Sequence, residues 1–236
     1  MIFRRGKGVW GRFYDGLPIK ADYRVHDIAF DLIEHGFGSA ARLRVLDVAT
    51  GTGAFAKRLA DRFPGWSVEI NDFESESMIT GVRKHKVDLN SDFGDSFDPD
   101  GYDLLVAIEI IEHLENPWHF LREIRKLLRQ GAALVLSTPN VDSTLDRLTY
   151  LVEGHPHYFG ERGYFNSGGH ITQIPDWLFR RIAASNGYTR VELNGSVDTA
   201  PLIGLRTIVK LMLVMPLSAL FMRNRNDRSI NIYVCN

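Results

Sequence analysis

Leu43-Arg44-Val45-Leu46-Asp47-Val48-Ala49-Thr50-Gly51-Thr52-Gly53 is the stretch from which the fold can be worked out. Its first seven residues are short, apolar and rich in branched side chains, as in a strand buried on both faces. An acid, Asp47, stands near the strand's end, and Gly51 and Gly53 follow. Glycines let the backbone turn through conformations that a Cβ disfavours. Beyond them Phe55, Leu59 and Phe63 recur every four residues, a helical stripe, until Pro64-Gly65 stops it. A buried strand, a glycine turn and an amphipathic helix together open a βαβ unit.

The alternation continues outward from this unit. Residues 66–70 predict a second strand ending at Asn71-Asp72, residues 75–82 a short helix, and residues 86–89 a short strand. Residues 102–109 read as a nearly continuous apolar strand. Asn116-Pro117 then supplies an N-cap with proline at the first helical position. Phe120, Leu121, Ile124, Leu127 and Leu128 form that helix's buried stripe, and Gly131 is its expected stop. A strand at 132–137, a helix at 175–186 and strands at 188–193 and 229–234 complete the pattern. The prediction is an α/β domain: a Rossmann-like, doubly wound, mostly parallel seven-stranded sheet with helices on both faces. Residues 1–236 are expected to form one domain, with a helical N-terminal extension over 1–40. A loop-rich region is expected at 141–175, and an apolar insertion at 196–228 before the last strand.

Bulk properties exclude some functions. A formal net charge of -1 argues against a broad cationic face for nucleic acid. Cys235 is the one cysteine, so no intrachain disulfide forms, which suits a reducing compartment. No apolar run of signal-peptide length follows the basic residues Arg4, Arg5 and Lys7, and the expected location is cytoplasmic. Residues 200–222 are largely apolar, but their longest uncharged run, 211–222, falls short of the roughly 20 residues a spanning helix needs. Two roles stay open for this insertion. It packs on the domain, or residues 200–228 touch the inner face of a membrane, where Arg223, Arg225 and Arg228 meet anionic headgroups.

Four blocks, in order, carry a resemblance to a known family. They are Asp47 to Gly53, Asn71-Asp72, Asp88-Leu89-Asn90, and the pair Ile108 to Pro117 with Ser137-Thr138-Pro139-Asn140. The chain resembles the class I S-adenosylmethionine-dependent methyltransferases, in particular the branch that includes the ubiquinone-biosynthesis O-methyltransferases. The resemblance covers residues 43–140 well and 168–188 more loosely. It implies S-adenosylmethionine as cofactor and S-adenosylhomocysteine as product. It places Asp47, Ala49, Gly51 and Gly53 around the methionine part of that cofactor and Asp72 on the ribose hydroxyls, with Asn71 in that role if the register slips by one. Asp88 and Leu89 fall along the adenine, and Glu109 at the end of the fourth strand. Ala49 departs from the family's usual glycine, so a methyl group intrudes on the loop.

Elementary chemistry supports the same assignment. A pyrophosphate wants helix N-terminal amides and no carboxylate beside them, whereas a ligand carrying an ammonium and a sulfonium favours an acid such as Asp47. Vicinal hydroxyls donate to one carboxylate in a bidentate way. Each residue also has a plainer role: Asp47 and Asp88 as turn caps, Asp72 as a surface acid, His113 as a packing residue.

Methyl transfer chiefly requires alignment and exclusion of water. A hydroxyl acceptor adds the need for a base, for which histidine is suited. His113, at the end of the fourth strand, is the catalytic candidate by position. Tyr158, His157 and His170 are the substrate-side candidates, and Phe159, Tyr164 and Phe165 either line that pocket or pack. His155 and His157 have no carboxylate or cysteine at ligand spacing, so no metal is expected. The expected activity is O-methylation of a small-molecule or lipid-linked acceptor. Two rivals stay open: a nicotinamide-dependent oxidoreductase, allowed by the glycine loop and an acid about 20 residues on, and a non-catalytic cofactor-binding domain.

Overall fold

The computed structural model describes residues 4–6, 9–11, 13–73, 77–98, 100–166, 169–197 and 228–236. Seven strands build the central sheet: β1 (Arg44–Asp47), β2 (Ser67–Asn71), β3 (Arg83–His85), β4 (Tyr102–Ala107), β5 (Leu128–Pro139), β6 (Val191–Val197) and β7 (Ile230–Cys235). Their order is β6-β7-β5-β4-β1-β2-β3. Strands β1 to β5 pair in parallel, and β7 runs antiparallel to both β5 and β6. The order reverses between β1 and β4, so a crevice is expected at the carboxyl ends of those two strands.

Alternation of side chains across the pleat divides the core in two. Leu46, Leu105, Leu134 and Leu136 face one layer, where Phe120 and Ile124 of α3 (Pro117–Leu127) and Phe179 of α6 (Asp176–Ser185) cover them. Val45, Leu104, Val106 and Val135 face the other, covered by Phe30 and Ile33 of α1 (Tyr23–Phe37) and Phe55 and Leu59 of α2 (Ala54–Arg62). The predicted sheet, with helices on both faces, is therefore present.

Several boundaries differ from expectation. Among the described residues of the N-terminal extension, the one helix is α1, which Asp22 caps by accepting from the Arg24 amide at 2.9 Å. Residues 4–6 pair with 9–11, and 13–14 with 17–18, in short antiparallel ribbons. Asp15 and Gly16, both at positive φ, supply the second turn. Residues 77–82 are not helical, and the third strand is 83–85 rather than 86–89. Asn71 explains the shift: it accepts from the Val87 amide at 2.8 Å, a side-chain bond that replaces strand pairing there. Gly131 does not stop α3, which ends at Leu127. Instead it sits at φ 80 where the β4–β5 register jumps from Tyr102↔Leu128 to Leu104↔Ala133. That placement marks a bulge.

The expected loop at 141–175 contains two helices, α4 (Thr144–Glu153) and α5 (Gly160–Asn166). Ser143 caps α4 through the Asp146 amide, and Gly154 at φ 83 ends it. Most of the apolar insertion, residues 198–227, lies outside the described residues, and with it the choice between packing and membrane contact. At its far border Arg228 donates to the Ser196 carbonyl at 2.9 Å. Among the described residues, no helix is long and apolar enough to cross a membrane.

Candidate functional site

The loop after β1 is held by backbone bonds on both sides. The Val48 amide donates to the Val106 carbonyl of β4, and the Thr50 amide to the Asn71 carbonyl of β2. Gly51 and Gly53 take φ values of 56 and 91. At Gly53 glycine is also a steric requirement, because an added Cβ would lie 2.6 Å from Ile79 Cγ2. Ala49 packs against the α3-side core, so its methyl is employed in packing.

Asp47 is buried, 2% exposed, and accepts from the Thr50 hydroxyl at 2.8 Å. Burial pushes its carboxyl up to about 7; the Thr50 bond opposes that rise and the nearby Asp72 charge adds to it. Asp72 reaches the loop from the end of β2 and accepts from the Gly51 amide at 2.7 Å. The two predicted acids thus flank one glycine turn. Asn71 is committed to the scaffold, donating to the Val48 and Val87 carbonyls at 3.0 and 3.1 Å, which leaves Asp72 as the β2 acid facing the loop. Asp88 accepts from the Asn90 amide at 2.9 Å in a local turn, while Leu89 is buried. The Asn90 side-chain oxygen then accepts from the Glu115 amide, tying this turn to the segment that follows β4.

Glu109 follows β4 at φ 48, an uncommon conformation for a residue with a Cβ. Its amide donates to Ser137 Oγ at 3.0 Å, and that hydroxyl donates to Glu109 Oε1 at 2.8 Å. Burial pushes the Glu109 carboxyl up to about 7, with the Ser137 bond opposing.

His113 lies on the 3-10 turn Ile111–His113. The structure brings His170 to it, with ring centroids 4.6 Å apart. Two backbone bonds make the junction: the Ile171 and Thr172 amides both donate to the Glu112 carbonyl. Phe159 and Tyr158 also neighbour His170, with ring centroids 5.5 and 6.5 Å away, and His157 follows, its ring 5.0 Å from that of Tyr158. The three substrate-side candidates therefore form a chain leading to His113. Burial, reinforced by neighbouring His113, pushes His170 down to about 4. Tyr164 and Phe165 do not join this group; they are 48% and 76% exposed and pack edge-to-face on each other. His155 hydrogen-bonds the Pro156 carbonyl.

One residue was not singled out from sequence. Glu112 is fully buried between the two histidines, and neither carboxylate oxygen has a hydrogen-bond partner. Burial drives its carboxyl well upward, and the Glu109 charge adds to this; its own amide and the Thr138 hydroxyl, though short of a formed hydrogen bond, oppose the rise. Its position directly before His113, at a strand's carboxyl end, was the available signal. A cavity of about 450 Å³ lies at the opposite end of the sheet, among Arg125, Arg129, Tyr188, Arg190 and Asn236, and contains none of the predicted residues.

A family model described as a methyltransferase domain matches residues 22–193. The ubiquinone biosynthesis O-methyltransferase of Aeromonas salmonicida is 27% identical over 126 residues, covering 50% of this chain and 52% of that enzyme. The chain spans about half the length of the curated relatives it matches. Among solved structures, phosphoethanolamine N-methyltransferase 2 of Haemonchus contortus, in complex with S-adenosyl-L-methionine, superposes with a TM-score of 0.57 at 14% identity, covering 89% of this chain and 52% of that one. A SAM-dependent methyltransferase from Archaeoglobus fulgidus has the same TM-score and identity, with 90% and 94% covered. At such identities the likeness is one of fold.

Proposed function

The chain belongs to the methyltransferase-domain family, and on that premise we propose that it is an S-adenosylmethionine-dependent methyltransferase acting on an oxygen of a small or lipid-linked acceptor. The observation that carries the proposal is the pair of acids on one glycine turn: Asp47 buried beneath it and Asp72 bonded to the Gly51 amide. A buried carboxylate whose hydrogen bond comes from a neutral hydroxyl gains from a cationic ligand, because low local polarity strengthens the attraction. A nicotinamide cofactor would instead bring a pyrophosphate toward these acids.

In this assignment Asp47 faces the ammonium of the cofactor's amino-acid part, and Ala49, Gly51 and Gly53 let the backbone approach it. Asp72 takes the ribose hydroxyls, Asp88 and Leu89 border the adenine, and Glu109 closes the site at the end of β4. When bound, the cofactor supplies a methyl group already activated on a sulfonium. The protein's task is then to align the acceptor and keep water out. His113 activates the acceptor hydroxyl, and Tyr158, His157 and His170 border the acceptor. The shared O-methylation of the curated ubiquinone-pathway relatives supports oxygen as the acceptor atom, and the apolar composition of residues 200–222 supports a lipid-linked acceptor.

Mass spectrometry of the full chain incubated with methyl-labelled cofactor and a lipid extract tests this directly. Labelled methyl is expected on an extracted lipid or small molecule, with S-adenosylhomocysteine released. Cofactor binding without any methylated product from lipid or soluble extracts would leave a non-catalytic domain as the better account.

A further inference from the structure

We infer that the cavity at the amino end of β5, among Arg125, Arg129 and Arg190, binds the phosphate group of a small organic phosphate. It lies where α3 ends, β5 begins and the 187–190 turn meets the end of β7. Asp47, Asp72 and Glu109 stand at the other end of the sheet, so neither the cofactor nor the acceptor accounts for it. Its volume, about 450 Å³, is that of a small-molecule site. A bare phosphate ion would leave most of that space to water, at roughly 30 Å³ for each molecule. The occupant therefore carries an organic part, which Leu128 and Ala132 border.

The charges single out an anion. Every charged side chain on the cavity wall is an arginine, and among the described residues no carboxylate lines it. Two of the three guanidiniums are pinned from outside. Arg129 donates through Nε to the Asp100 carbonyl at 2.6 Å, and through Nη1 to the Asp103 carboxylate oxygens at 3.0 and 3.2 Å. Arg190 is held by Glu192, with Nε at 2.8 Å and Nη2 at 2.6 Å from Oε1. Each keeps one further Nη without a hydrogen bond among the described residues. Arg125 is different. Its one hydrogen bond among the described residues runs 3.4 Å from Nη1 to the Leu128 carbonyl, so no carboxylate matches its charge. A phosphate meets a planar guanidinium through two parallel N–H···O bonds. Guanidiniums already fixed also cost less to order on binding than free side chains do.

The backbone keeps the space open and its walls in place. Gly131 and Gly187 take φ values of 80 and 83, and a Cβ added to either would meet nothing within 4 Å. The Asn236 carbonyl oxygen accepts from the Thr189 and Arg190 amides at 2.8 and 3.0 Å, which fixes the turn that carries Arg190. The Tyr188 hydroxyl donates to the Leu121 carbonyl at 3.3 Å and anchors the same turn to α3, the helix that carries Arg125. Two segments distant in sequence thus hold their arginines around one cavity.

The test is calorimetric titration of the full-length protein with glycerol 3-phosphate, glucose 1-phosphate, uridine 5′-monophosphate and inorganic phosphate, with and without saturating S-adenosylhomocysteine. At least one of the three esters is expected to bind once per chain, about tenfold or more tighter than inorganic phosphate and without competition from the nucleoside. Arg125→Gln and Arg190→Gln should each weaken that binding by about tenfold or more. Both side chains lie at the surface, so the variants should melt as the parent does without ligand. Arg122→Gln, exposed on α3 but outside the cavity, should bind as the parent does. The inference is overturned if no ester binds, if inorganic phosphate binds as tightly as every ester, or if the nucleoside displaces the ester. Equal affinity in both cavity variants overturns it too, as does an equal loss in Arg122→Gln, which would reveal only diffuse charge. Arg125-dependent sedimentation with phosphatidic acid vesicles, without binding of any soluble ester, would assign the phosphate to a lipid headgroup and overturn the small-molecule assignment.

Discussion

The turns after β1 and β4, on neighbouring strands, bury an acid in opposite ways. Asp47 is held within a contiguous motif: its neighbour Thr50 donates to it, and Gly51 and Gly53 shape the surrounding backbone. Glu112 is held by segments distant in sequence, since the Ile171 and Thr172 amides fix its backbone while its carboxylate remains unbonded. The first arrangement is a local solution that a short stretch of chain specifies. The second is tertiary and depends on the 169–172 stretch docking against the turn. On the proposed assignment, the hydrogen-bonded buried carboxylate lies on the cofactor side of the crevice and the unbonded one on the acceptor side.

The largest effect is expected where that local solution is tightest. Gly53→Val should weaken S-adenosylmethionine binding at least a hundredfold and destabilise the fold by about 3 kcal/mol or more, because the side chain meets Ile79 and strains a φ of 91. Calorimetry and urea melts read both effects; near-parent affinity would mean the loop is not where the cofactor lies. Asn71→Ala comes next, at about 2–4 kcal/mol, since it leaves the Val48 and Val87 carbonyls and the Val87 amide without their buried partner. A cost below about 1 kcal/mol would show that the loop does not depend on this clamp.

A smaller effect separates the cofactor side from the helix layer behind it. Burial, with Arg58 adding, pushes His26 down to about 4, and its ring packs edge-on against Phe55 of α2. A lowered histidine pKa means the unfolded chain takes up protons first. His26 therefore contributes stability that is full above about pH 6.5 and falls as pH drops toward 4, by on the order of 2–3 kcal/mol. The difference in unfolding free energy between the parent and His26→Phe should carry that slope, and a pH-independent difference would show that the histidine is not kept neutral by burial. Least affected should be Tyr164→Ala on the acceptor side, within about 0.5 kcal/mol and with unchanged cofactor affinity, because the ring is half-exposed.

The same contrast explains what was legible in the sequence. The sheet, its parallel core and the β1 loop were readable because strand apolarity, glycine and proline act over a few residues. Boundary errors arose where a tertiary bond overrode local preference: Asn71 moved the third strand, and the β4–β5 bulge turned Gly131 from a helix stop into part of a strand. Helix α4 was missed because Tyr150 and Leu151 are exposed, which blurs its apolar stripe. On the acceptor side His113, His157, His170 and Tyr158 were recognisable as residue types suited to the chemistry. Their convergence on Glu112 was not, since 56 residues separate His113 from His170 and no periodicity links them.

The most direct test is the affinity for S-adenosylmethionine measured by calorimetry from pH 5.5 to 8.5 in the parent and in Asp47→Asn. Burial holds the Asp47 carboxyl near 7, so in the free protein it is largely neutral below that pH and must lose a proton to meet a cation. The same raised pKa gives stability that is full below about 4 and lost as pH rises toward 7, so Asp47→Asn should be the more stable chain at pH 8 while binding cofactor less well. The predicted result is an affinity that climbs up to about tenfold per pH unit below 7, levels off above it, and is weak and flat in the variant. A flat profile in the parent, or equal binding by a folded Asp47→Asn, would contradict the assignment of this carboxylate to the cofactor's cationic end.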